Sequence, residues 1–240
     1  MAYKKLIVAL ANSDNVEDIN STGDINVGSD LSITDYIIVP KASTTGMKVD
    51  LITPTFGFAD IIGDQFSKNT GGTKPTLTAY NGVINSWQFS AGNEAYISYH
   101  IPHDYVKGTP IFLHIHWSHN STVVTGGTVT FKLTSILAKG HNQQAFQTTP
   151  SVGTFVGTAS TIQYQQIISE VLYSDGTPTG LQIDMDNLEP DSVIELTFEV
   201  DANNITSSAA VPDPFVHFVD IHYQSTGIFG TKDKAPDFYS

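Results

Sequence analysis

Three histidines fall within six residues of the run FLHIHWSHN at 112–120, and their types and spacing are the first candidates for chemistry in the chain. In a strand, alternate side chains share a face, so His114 and His116 would project together about 6–7 Å apart. Leu113, Ile115 and Trp117 would then point the other way, toward a core. Such a pair suits two imidazole ligands of a metal ion, and it equally suits two polar residues on the less buried face of a sheet.

Gly108, His114 and His116 are spaced as in the first half of the cupin metal motif, and Gly127 falls where that motif's later glycine stands. This partial resemblance implies a metal-dependent cupin-like enzyme using His114 and His116. Against it, Asn120 occupies the place of the glutamate ligand, and the later strands hold no counterpart of the second cupin motif. Asp220 and His222 make a second same-face pair, and the four side chains converge if their strand neighbours 111–117. Strand histidines also serve at subunit interfaces or satisfy buried backbone groups. The expectation is therefore no bound metal or cofactor, with His114, His116, Asp220 and His222 as the residues that would hold an ion. Ser118 and His119 lie on opposite strand faces and do not form a nucleophile and base pair. Asp184 and Asp186, in LQIDMDNLEPD, lack the spacing and closing Glu of a calcium loop and read as solvated acids. No catalytic residue is expected, and the protein is not expected to be an enzyme.

The elements that must position these residues are strands. Ala95, Ile97, Tyr99 and Ile101 alternate with polar neighbours, as do Val129, Phe131 and Leu133, and Ile194, Leu196, Phe198 and Val200. PFVHFVDIHYQ at 214–224 is the last strong strand, and weaker ones are expected at 83–89, 152–158, 161–173 and 181–185. TVVTGG, after the histidine strand, reads as a turn. QYQQIISEVLY, the segment nearest to a helical pattern, carries Ile-Ile and Val that favour a strand. The fold class expected is all-β, a jelly-roll-like antiparallel β-sandwich. Residues 1–75, with short apolar runs such as YIIVP among polar residues, are expected to form an irregular N-terminal arm. Residues 76–240 are expected to form the β domain with a C-terminal tail. Trp87 and Trp117, the main hints of a carbohydrate-binding sandwich, read better as core.

Composition narrows the partners. The chain has a net charge of −13, eleven basic residues and no cysteine, and every basic residue is a lysine. Without arginine or a cationic cluster, direct nucleic-acid binding is not expected, nor is an anionic membrane surface. No stretch approaches the about 18 apolar residues of a membrane span. MAYKKLIVALANS has an apolar run of six residues, shorter than a signal-peptide core, and is expected to be a strand or docking segment.

The run FSAGNEAYISYHIPHDYVKGTPIFLHIHWSHN, with FVDIHYQSTGIFGTKDKAPDFY much later, resembles a family of tailed-bacteriophage virion structural proteins, of the capsid decoration or cement kind. The shared features are a His-Ile-Pro-His-Asp-Tyr turn, a His-x-His-Trp strand and an Asp-x-His-Tyr-Gln strand followed by a glycine-containing tail. The resemblance covers about residues 76–240. It implies a structural protein on the outer surface of a capsid or tail, assembled in the host cytoplasm. The implied partners are a homotrimer and the major capsid protein or neighbouring virion proteins. A tail or fibre-adaptor component is the alternative in the same class.

Overall fold

Alternation in the sequence becomes the two faces of each sheet. Along one strand, Ala95, Ile97 and Tyr99 are buried while Tyr96 is exposed, and along another Val129, Phe131, Leu133 and Leu137 are buried with Thr130, Lys132 and Thr134 between them on the outer face. Burying one face of each sheet requires a second sheet, and that demand produces a sandwich.

The computed structural model describes residues 73–177 and 179–225, together with strand segments 18–19, 25–26 and 58–62. The chain divides into two compact units, Met1–Lys48 and Val49–Ser240. In the first, β1 (Asp18–Ile19) and β2 (Ile25–Asn26) pair antiparallel. The second contains β3 (Phe58–Ile62), β4 (Thr76–Asn81), β5 (Ile84–Gln88), β6 (Asn93–His100), β7 (Phe112–Ser118), β8 (Val124–Ala138), β9 (Ser151–Thr158) and β10 (Ile167–Leu172). It continues with β11 (Ser174–Asp175), β12 (Ile183–Asp184), β13 (Val193–Ser207) and β14 (Phe215–Gln224).

One sheet has the order β10-β7-β14-β5-β4 and the other β6-β13-β8-β9. From β5 to β14, apart from the short parallel pair β11 and β12, every connection crosses to the opposite sheet except the β8–β9 hairpin. This interleaving is that of a jelly roll, an antiparallel sandwich of two Greek keys. The core between the sheets is aromatic at its centre. Phe131 stands 5.7 Å from both Trp117 and Phe198, and Phe198 stands 5.6 Å from Phe89. Trp117 is fully buried and Trp87 packs against the core, as their place in strands suggested.

Two features depart from the expected layout. β3 lies inside the stretch expected to be an arm, yet it pairs with the central strand β14 and packs Ala59 and Ile61 against the core. Apart from β1, β2, β3 and residues 73–75, the expected arm lies outside the described residues, as does the tail beyond Ser225. In TVVTGG, expected to be a turn, Val124 to Gly127 instead begin β8. The cause is Gly127, at φ +94° and so close to β13 that a Cβ would lie 2.3 Å from the Asn204 carbonyl oxygen. A strand can run on there only without a side chain.

The turn HIPHDY is tied to the end of β14. Asp104 accepts hydrogen bonds from Tyr223 Oη at 3.1 Å and from Ser225 Oγ, Val106 N donates to Gln224 O at 3.0 Å, and Tyr105 bridges Ser225. Two motifs more than a hundred residues apart in the chain are thus one clasp.

Candidate functional site

On β7, Leu113, Ile115 and Trp117 are fully buried in the core, so His114 and His116 stand on the outer face of their sheet. β14 lies beside β7 with Asp220 opposite His114 and Phe218 opposite His116. β10 flanks the other edge of β7 and sets Glu170 opposite His114. β3 sets Asp60 opposite His222. Four strands thereby gather three histidines and three carboxylates on one face.

A bulge in β14 shapes this face. Val216 pairs with Trp117 and Phe218 with His116, leaving His217 as the extra residue. Two consecutive side chains therefore project on the outer side. Phe218 stacks on the His116 ring at 4.0 Å, and His217 Nε2 lies 2.8 Å from Ser118 Oγ.

The four residues named from the sequence do converge. His116 Nε2 lies 3.0 Å from Asp220 Oδ1, His114 Nδ1 lies 3.7 Å from Asp220 Oδ2, and His222 Nδ1 lies 3.2 Å from His114 Nε2. Asp60 and Glu170 were not anticipated, because only register with β3 and β10 brings them in. His114 Nε2 is 2.6 Å from Glu170 Oε2, and Gln166 Nε2 is 2.7 Å from His116 Nδ1. Asp220 is 2% exposed, and burial pushes its carboxyl up to about 6 against the opposing pull of His114. Burial likewise lowers the His116 imidazole, with the His114 charge adding to the effect. A neutral imidazole beside a carboxylate, as at His116 and Asp220, is the arrangement that metal ligation requires.

Other expected and unexpected residues have clear roles. The cupin comparison does not carry over, because His114 and His116 point away from the sandwich interior. Asn120 uses its carbonyl to accept from Gln163 Nε2 at 2.7 Å, and Gly127 serves the close approach to β13. Ser118 and His119 do not pair, and His119 Nε2 instead faces Ser160 O at 2.7 Å. Ser118 meets His217 and Tyr80 Oη, each at 2.8 Å, while His217 Nδ1 faces Ser86 Oγ at 3.3 Å. Ser118 is fully buried and this histidine is oriented by a hydroxyl rather than a carboxylate, so the arrangement is a polar network in the sheet face. Asp184 caps a 3-10 turn at Met185–Asn187, accepting from Asp186 N at 2.9 Å and Asn187 Nδ2 at 2.6 Å.

A second histidine cluster has no counterpart in the sequence reading. His100, His103 and His141 direct Nε2 at the Asp191 carboxylate from 3.1, 2.9 and 2.7 Å. Burial pushes Asp191 up, but the hydrogen bonds from His141, His103 and His100 outweigh it and hold the carboxyl below its ordinary range. The available signal was the His-Ile-Pro-His spacing, which a cis-strand reading alone does not connect to residues 141 and 191.

No known protein family matches the chain, and no curated protein sequence does. Among solved structures it is similar to a Clostridium thermocellum endo-1,4-beta-D-xylanase 10B fragment with CBM22-1 and GH10 modules, complexed with xylohexaose. The identity is 17% and the TM-score 0.33, over 72% of this chain and 30% of that one. It is also similar to an Arthrobacter globiformis T6 isomalto-dextranase complexed with panose, at 10% identity and TM-score 0.28, over 61% of this chain and 20% of that one. The chain thus spans less than a third of either protein, and both likenesses are too distant to bear on function.

Proposed function

We propose that the protein is a structural component of a tailed-bacteriophage virion, a head decoration or cement protein that acts without catalysis by burying surface between capsid subunits. The observation that carries this reading is the apolar character of the sandwich edges. On the β4–β5 hairpin at one edge, Leu77 is 53% exposed, Ile84 60% and Val83, in the turn, 95%. On the edge strand β9 of the other sheet, Val152 and Val156 are about half exposed or more, and Ile168 stands on the outer face of the edge strand β10. Edge strands that must stay apart are normally guarded by charge, so apolar edges suit subunit contacts. The sequence resemblance supports the same reading, since the motifs that carry it form the clasp between the HIPHDY turn and β14. A homotrimer would present each edge three times, and many weak contacts on a symmetric shell add through avidity. The acidic, arginine-free composition favours a place on the outside of the particle, away from packaged DNA.

Gold-labelled antibody against the protein, viewed on intact particles by electron microscopy, tests the reading. Label spread over the head supports the cement role. Label confined to the tail replaces it with the adaptor role, and its absence from virions overturns both.

A further inference from the structure

We propose that His114, His116 and Asp220 bind one divalent transition-metal ion of the zinc class, tying β7 to β14 at the middle of the sheet. The inference does not depend on a virion role. It rests on a local imbalance of donors and acceptors. Glu170 is an acceptor, so the 2.6 Å contact requires His114 to carry its proton on Nε2. In the neutral ring, Nδ1 is then a lone pair, and it faces Asp220 Oδ2 at 3.7 Å with nothing to donate. Asp220 Oδ1 is buried without a hydrogen bond, because His116 Nε2, though 3.0 Å away, lies off the line that a hydrogen bond needs. A buried carboxylate left in this state is costly, and a cation at the junction of the three groups removes the cost.

The geometry suits such an ion. One ligand atom from each residue lies within 4.8 Å of the others. Bond lengths of about 2.0–2.2 Å to nitrogen and oxygen put tetrahedral donors about 3.3–3.5 Å apart, between the two separations from Asp220. Two imidazoles and a carboxylate favour zinc, cobalt or nickel over magnesium or calcium. The supporting groups are also in place. Glu170 holds the far nitrogen of His114, as carboxylates do behind metal-bound histidines. Gln166 stands at His116 Nδ1, and rotating its amide presents the carbonyl oxygen, which leaves Nε2 free to ligate. Phe218 fixes the His116 ring by stacking. His222 meets His114 on its Nε2 side, away from this junction, so it is not a ligand of the same ion. The expectation of a metal-free protein rested on the missing cupin glutamate and the absent second cupin motif, and neither bears on histidines that stand on the outer face with their carboxylate on another strand.

The full-length protein, stripped with chelator and dialysed, is titrated with Co2+ at pH 7.5 while its visible absorption is read, and Zn2+ is then added in competition. The expected result is one equivalent of Co2+ per chain, displaced by Zn2+, with Zn2+ raising the Tm. Asp220→Asn and His116→Ala should each weaken binding by about 100-fold or more and Glu170→Gln by about 10-fold, as for first-sphere and supporting groups. The double variant His100→Ala, His103→Ala should bind as the native chain does. Absence of binding by the native chain at sub-millimolar Co2+ or Zn2+ overturns the proposal. So does binding that survives Asp220→Asn and His116→Ala, or binding lost in the His100 and His103 variant. Should Asp220→Asn fail to fold, the Glu170→Gln affinity and the native-chain stoichiometry still decide it.

Discussion

Asp191 shows how much one side chain can organise. It accepts from three histidines, two in the run 100–103 and one at 141, and its backbone has φ +67°, a region that costs most residues energy but that Asp and Asn tolerate. Asp191→Asn therefore keeps the shape and the backbone tolerance, removes the charge and turns one of the two accepting oxygens into an NH2 donor. The sign of its pH dependence follows from the lowered carboxyl. Between the folded value and the unfolded value of about 3.9, the unfolded chain binds more protons, so this stability is complete above about pH 4 and is lost as the pH falls through the folded value. We expect Asp191→Asn to lower the unfolding free energy by about 1–2 kcal/mol at pH 7, from weakened charge-assisted hydrogen bonds. Urea denaturation at pH 7 and pH 3 measures it. A deficit of equal size at both values would show that shape, and not charge, is what Asp191 supplies.

β3 is the element that changes the domain plan. It occupies the edge of β14 left by β5, which pairs with β14 through Phe215 and Gln88, while β3 pairs with residues 220–224. A chain beginning at Val49 keeps this strand, and one beginning at Thr76 loses Ala59 and Ile61 from the core and uncovers half an edge of a central strand. Removal of residues 1–75 should cost about 2–4 kcal/mol relative to removal of 1–48, from lost burial and ladder hydrogen bonds. Thermal unfolding of the two truncations compares them directly, and equal Tm values would mean that β3 contributes nothing to stability. The strands with clean alternation, such as β6 and β13, were legible because one face is buried and the other wet. β3 was not, since FADII is a short run of five residues, in which Ala59 and Ile61 pack against the core. The site was half legible for a related reason. Spacing along one strand reveals His114 with His116, and Asp220 with His222, whereas Glu170 and Asp60 enter only through register between strands that no local pattern records.

At the scale of the whole molecule, the sheet that bears the site is completed by β14, the last strand among the described residues. β14 sits between β7 and the β5 and β3 edge, with partners from residues 58–62 and 112–118. Such distant pairings make folding slow, on the order of milliseconds to seconds. If β14 docks after the transition state, Ile221→Ala should speed unfolding and leave refolding nearly unchanged, with a stability loss of about 2–4 kcal/mol. Chevron kinetics test this, and a refolding limb slowed in proportion to the lost stability would mean that β14 belongs to the folding nucleus. Until β14 enters, β7 faces an open slot with bare amide and carbonyl groups along its length. The ladder itself does not distinguish an identical strand from another copy from its own, and only the covalent tether favours the latter. Strand exchange between crowded copies is then a route by which a sandwich of this topology misassembles.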